Sequence, residues 1–276
     1  MVKILIIHGI GNYRPSITPE DAAKLLQDSW LKDLIGAGSM AGEKKVGISV
    51  AYYAHVLRDS EAQGPVSDQR LSLEESQLFL SWAAAYGIPS DQAQGILTKP
   101  IRQIASWVAN RGGASTEAVT SLILRFIREV NSYFTSEVNR SRVQALIESE
   151  IRSQKPDLIL AHSLGSVIAY ETLWSSGCPV EKLITVGSPL ALKGGIFDRV
   201  IPNPVNGLGK RPIGVNEWLN VADCGDIVAV PRFLSESYAG IRIDHETNIG
   251  KFAFHGLKNY LRSPEVRKLI FPIRDE

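Results

Sequence analysis

The segment most suggestive of chemistry runs from Asp157 to Tyr170: a buried-looking apolar run, Leu158-Ile159-Leu160, then Ala161-His162-Ser163-Leu164-Gly165, then an apolar helical pattern. A serine at such a strand-to-helix junction is held in a sharp, strained turn. Strand and helix can approach there only where the residues two before and two after it are small, and Ala161 and Gly165 fill those places. The turn also sets Ser163 beside a helix N-terminus, where the backbone N–H of Leu164 can point at a developing oxyanion. A serine hydroxyl is a poor nucleophile at its free pKa. It needs a base within hydrogen-bond reach, and the base needs a partner that fixes its tautomer and stabilises the imidazolium. Without those partners the same pentapeptide is a structural turn.

Candidates for the partner roles lie at the ends of other apolar runs. His8-Gly9-Ile10-Gly11-Asn12 follows the first run, and by itself reads better as a glycine-rich turn with a packed histidine. Asp223 and Asp226 share the loop after Trp218 to Val221, where either could merely cap the turn. The five histidines are His8, His55, His162, His245 and His255. The chemistry implied is acyl transfer to Ser163 through a tetrahedral intermediate, then attack of water on the acyl-enzyme, a route that needs no metal or organic cofactor.

The elements that must position these residues are visible as short Val-, Ile- and Leu-rich runs at Val2 to Ile7, Val46 to Tyr52, Leu158 to Ala161, Leu183 to Val186 and Trp218 to Val221. Continuous runs suit strands covered on both faces. Helical patterns at Pro19 to Ile35, with Thr18 as N-cap, and at Leu164 to Trp174 alternate with them, which predicts a mostly parallel, doubly wound α/β sheet in one domain spanning residues 1–276. Over residues 58–154 the alternation stops. Helices are predicted there at Leu71 to Tyr86, Pro100 to Asn110, Glu117 to Phe134 and Glu137 to Ser153, with a turn at Arg111-Gly112-Gly113. Val119, Leu122, Ile123, Phe126, Ile127, Val130, Tyr133 and Phe134 form one apolar stripe. The insertion lies between strands whose carboxyl ends should border the site, so it is expected to be a mobile helical cap over Ser163 that admits acyl chains. The plainer alternative is that the stripe packs on companion helices and never moves.

Taken together these segments resemble the α/β-hydrolase superfamily, most closely its lipase and serine-esterase branch, with Ala161 where a glycine is usual. The resemblance implies that His8-Gly9 opens the loop supplying a second oxyanion-hole N–H, assigned to Ile10. It implies that Asp226-Ile227-Val228 stands for the D-P-V of that branch without its proline, which favours Asp226 over the competing Asp223 as the acid. It also places the histidine just before a terminal helix, with an Asp and an Asn upstream in a short strand and loop. His255, with Asp244 and Asn248, fits that place better than His245, while His55 precedes the serine. Ser163, Asp226, His255 is then the chain order expected of such a fold. The implied activity is that of an esterase or lipase-like serine hydrolase acting on a small acyl ester or lipid. An amidase or thioesterase would use the same residues, and the rival reading is a catalytically idle α/β-hydrolase fold serving as a binding or effector-associated module.

Composition narrows the partners. With 44% apolar and 21% charged residues in 276, the chain can bury a substantial core. Thirty basic residues against 29 acidic ones, a net charge of +1, give no overall field for nucleic acid or an anionic membrane surface. No apolar run approaches the roughly 18 residues a spanning helix needs, although transient membrane contact stays compatible with a lipid substrate. Cys178 and Cys224 lie in no metal or redox spacing, and Val2 to Ile7 runs straight into His8-Gly9 without a secretory pattern, so a cytoplasmic protein with reduced thiols is expected. Tyr52, Tyr53 and His55 either line the pocket or pack as ordinary strand-end residues. Ser188-Pro189-Leu190 is expected to begin an active-site loop, and Cys224 to be a small filler.

Overall fold

Six of the strands form a single sheet. The computed structural model describes residues 2–36, 46–58, 70–88, 101–249 and 255–271. Strands β1 (Val2–Ile7), β2 (Val46–Ala51), β3 (Leu158–His162), β4 (Val180–Val186), β6 (Val215–Asp223) and β8 (Ile241–Thr247) lie in the order β2-β1-β3-β4-β6-β8, every neighbouring pair parallel. Two-residue strands β5 (Gly209–Lys210) and β7 (Tyr238–Ala239) pair with each other apart from it.

Strand side chains sort by parity into two cores. Leu5, Ile7, Ile159, Ala161 and Leu183 enter one, while Ile4, Ile6, Leu158, Leu160 and Ile184 enter the other. Both faces are therefore dry, which is why the runs read as continuous rather than alternating. The first face is covered by Val143 and Ile147 of α6 (Glu137–Gln154) and by Val167 and Ile168 of α7 (Leu164–Ser176). The second is covered by α1 (Pro19–Ile35), α8 (Leu257–Arg262) and α9 (Pro264–Ile270). Thr18 caps α1 by accepting the Asp21 N–H, with Pro19 at the start of the helix, in line with the sequence pattern.

Between β2 and β3 the chain forms α2 (Ala54–Arg58), α3 (Leu73–Ala85), α4 (Ile101–Gly112), α5 (Thr116–Thr135) and α6; of the 58–154 insertion, residues 59–69 and 89–100, Pro100 included, lie outside the described residues. Ser72 and Glu75 form a reciprocal capping box at the head of α3, and Ser115 caps α5. The α5 stripe is packed into the same core as β1: Val119, Ile123, Phe126, Ile127, Val130 and Tyr133 are buried, with Leu122 and Phe134 against them. Helix α6 lies on β1, β2 and α7, as the crossover helix of a parallel pair does. A buried ion pair, Arg140 with Glu171, joins α6 to α7, and Tyr133 Oη donates to the same carboxylate at 2.6 Å. Helices α3 and α5 also reach the carboxyl edge of the sheet. Trp82 Nε1 donates to the Ile227 carbonyl at 2.7 Å, and the Gly11 N–H donates to Glu129 at 3.0 Å.

Sheet order determines where a ligand can enter. The chain leaves β1 for β2 on one side, then returns to β3 on the other, so the switch point lies between the carboxyl ends of β1 and β3. His8 follows β1 directly, and Ser163 follows β3 directly.

Candidate active site

Ser163 joins β3 to α7 with φ 55° and ψ −130°, a conformation that costs a non-glycine residue on the order of 1–3 kcal/mol. Several bonds hold it there. Its N–H donates to the Val186 carbonyl at 3.1 Å, and its own carbonyl accepts the Ser166 N–H at 2.9 Å and the Ser166 hydroxyl at 2.6 Å. Ser188 Oγ lies 2.6 Å from Ser166 Oγ and accepts the Leu190 N–H at 3.3 Å. Ser188 thus buttresses the turn from beneath, a role its sequence position does not reveal. A Cβ on Gly165 would fall 2.3 Å from the His8 carbonyl oxygen, and one on Gly9 would fall 2.5 Å from the Ser163 Cβ. Only glycine lets the loop after β1 touch the serine turn at these two points. Ala161, fully buried, pairs with Ile7 on β1.

The loop after β1 is fixed by its histidine. His8 Nε2 accepts the Tyr53 N–H at 3.2 Å, which leaves Nδ1 to carry the proton and donate to the Gly9 carbonyl at 2.8 Å. Asn12 Nδ2 donates to that carbonyl at 3.0 Å, and Tyr53 Oη donates to the His8 carbonyl at 2.7 Å. Burial above all lowers the His8 pKa to about 4, so the ring stays neutral. With the Gly9 carbonyl anchored by two donors, a planar trans peptide directs the Ile10 N–H away from them. Leu164, first residue of α7, has no intrahelical acceptor for its N–H. Tyr52 braces the same loop, its hydroxyl donating to the Asn12 carbonyl at 3.1 Å and accepting the Arg14 N–H at 3.0 Å.

His255 and Asp226 are joined. His255 Nδ1 lies 2.8 Å from each carboxylate oxygen of Asp226, and both side chains are buried. A carboxylate accepts, so Nδ1 carries the proton and Nε2 presents a lone pair. Asp226 Oδ1 accepts the Val228 N–H at 2.9 Å and the Ala229 N–H at 3.3 Å, while Oδ2 accepts the Tyr260 hydroxyl at 2.8 Å. Asp223 is otherwise engaged: its carboxylate accepts the Ile249 N–H at 2.8 Å, and burial raises its pKa. His245 is exposed on the edge strand β8. Asp244 accepts from Asn220 at 2.8 Å and from the Ser235 N–H at 2.6 Å. Like Ser163, His255 has a left-handed backbone, with φ 129°. The structure thus brings Ser163, Gly9, Gly165, His8 and Ile10 into one cluster and pairs Asp226 with His255. His162 links the two groups: it precedes Ser163, its ring centroid is 4.6 Å from that of His255, and its Nδ1 abuts Gly9. Burial, followed by the nearby His255 and His8, holds His162 well below the usual histidine range, so it stays neutral beside its neighbour.

Ser163 and His255 are not hydrogen-bonded to each other. Among the described residues neither Ser163 Oγ nor His255 Nε2, both buried, has a hydrogen-bond partner, and Ser163 has no exposed surface. Cys224, expected as a filler, is exposed instead, because it lies in the loop just past the end of β6. Among the described residues no group of three or more His, Cys, Asp or Glu side chains is placed to hold a metal ion, and no helix is long and apolar enough to cross a membrane. Sequence reasoning misses Tyr260 and Ser166 and places Ser188 only at the start of an active-site loop; the available signal is a tyrosine five residues beyond His255 and a hydroxyl three residues after the serine. No family model, curated protein or solved structure matches the chain.

Proposed function

We propose that the chain is a serine hydrolase of the α/β-hydrolase type that cleaves acyl esters. The observation carrying this reading is the strained Ser163 at the sheet's switch point, with a buried Asp226–His255 pair whose free Nε2 has the tautomer of a general base. Ser163 attacks the carbonyl carbon while His255 takes its proton. The N–H groups of Ile10 and Leu164 receive the oxyanion, and Asp226 stabilises the imidazolium. His255 then returns the proton to the leaving alkoxide and activates the water that releases the acid. Ser163 is fully buried, so a substrate reaches it only when neighbouring groups give way. The unmade Ser163–His255 bond is also what an idle binding scaffold would show, so turnover separates the two readings. Ser163→Ala should abolish hydrolysis of short-chain p-nitrophenyl esters without lowering the unfolding temperature, since it removes an unpaired buried hydroxyl. Undiminished hydrolysis by the purified variant would contradict the assignment.

A further inference from the structure

Asp226 is held on all sides. The two backbone donors Val228 and Ala229 occupy Oδ1, which leaves Oδ2, shared with His255 Nδ1, to be steadied by one side chain. That side chain is Tyr260, on α8, only 1% exposed, whose hydroxyl donates to Asp226 Oδ2 at 2.8 Å. The hydroxyl oxygen in turn accepts the Asp223 N–H at 2.9 Å, so its one proton points to Asp226; turned toward Asp223 it would set two donors against each other. The phenol therefore links the end of β6, the acid loop and the helix that follows the histidine.

We propose that Tyr260 is a positioning residue of the catalytic apparatus, fixing the Asp226 carboxylate and tempering its charge so that it sets the pH at which His255 becomes available as a base. This rests on the reading of Ser163 as nucleophile. The sign follows from the hydrogen bond. A donor to Oδ2 withdraws charge that would otherwise stabilise the imidazolium, so removing it raises the proton affinity of His255 and moves the acid limb of activity to higher pH. Removing it also frees the carboxylate to turn about its side-chain bonds, which weakens the tautomer control that the base needs. Among the described residues, the titratable groups packed around His255 are Asp226 from the acid loop, His162 from β3 and Tyr260 from α8, with Asp223 behind Tyr260 and His8 beyond His162. Of these, only Tyr260 presents a neutral donor to the acid.

The test is the pH dependence of fluorophosphonate labelling and of p-nitrophenyl ester hydrolysis in the full chain, comparing the wild type with Tyr260→Phe, which keeps the ring packing. The expected result is a fall of roughly tenfold in kcat with KM unchanged, together with an acid limb shifted up by about half a pH unit or more. Site-specific replacement of Tyr260 by a difluorotyrosine, a stronger donor of the same shape, should shift that limb down, and it serves as the readout should the phenylalanine variant fold poorly. A purely structural role would lower the unfolding temperature but leave the limb in place. Unchanged limbs in a wild type that labels at Ser163 would overturn the role of Tyr260 alone, whereas a wild type that does not label at Ser163 would overturn the nucleophile reading and this proposal with it.

Discussion

The two halves of the site are built to different degrees. On the acid side, Asp226 accepts four donors, one of them the His255 Nδ1 proton, which the carboxylate holds in place. On the nucleophile side, the backbone is equally constrained but the reactive atoms are not joined, since Ser163 Oγ and His255 Nε2 are both buried and unpaired. Burying polar atoms without partners costs on the order of 1–3 kcal/mol each, so a protein retains them only where something else sustains the arrangement. On the proposed reading, orientation is set in advance on the acid side, and the serine–histidine bond forms when a substrate enters.

The largest effect is expected at the acid. Asp226→Asn should lower kcat by roughly 10³- to 10⁴-fold, because the amide can present a donor to Nδ1 and favour the wrong tautomer. Asp223→Asn should lower it less than tenfold, since that carboxylate accepts the Ile249 N–H rather than touching His255. Parallel kinetics on the two variants check this, and the opposite ranking would move the acid role to Asp223.

A smaller effect probes the nucleophile side through His8, which fixes the loop after β1. Its pKa is about 4 in the folded protein against an ordinary histidine value of 6.5, so between those values the unfolded chain binds the proton more readily. Stability should therefore fall as pH drops from about 6.5 toward 4, by about 3 kcal/mol from this group, and His8 should add nothing further below that range. His162, depressed in the same direction, acts with the same sign. Urea unfolding at several pH values should show this acid slope, and His8→Asn should flatten it; equal slopes would show that His8 is not the source.

The legible parts of the molecule are those set by local pattern. Strands β1 and β3 are visible in the sequence because both of their faces are dry and nearly every residue in the run is apolar. The serine turn is visible because close approach demands small residues at Ala161 and Gly165. Strand β8 is harder: Arg242, Asp244, His245 and Glu246 break any apolar run, as they can on an edge strand with one free side, and only the resemblance suggests it. The choice of Asp226 over Asp223 cannot be read from spacing, because it depends on how the loop after β6 turns and on where Tyr260 lands. The insertion's stripe is an apolar face as its periodicity indicates, but periodicity cannot say what a face packs against, and in the structure it shares the core of the sheet. For Tyr52 and Tyr53 the sequence favours ordinary strand packing over pocket lining, and in the structure both are buried, their hydroxyls bracing the loop after β1.

The functional reading stands or falls on Ser163 being a nucleophile activated by His255, and covalent labelling examines that without intermediaries. The intact protein, treated with a fluorophosphonate and digested, should carry the phosphonyl group on the peptide containing Ser163. Labelling should be lost in Ser163→Ala and slowed by at least about a hundredfold in His255→Ala. A wild-type protein that stays unlabelled under conditions that label a known serine esterase, or one labelled at another residue, would contradict the nucleophile assignment.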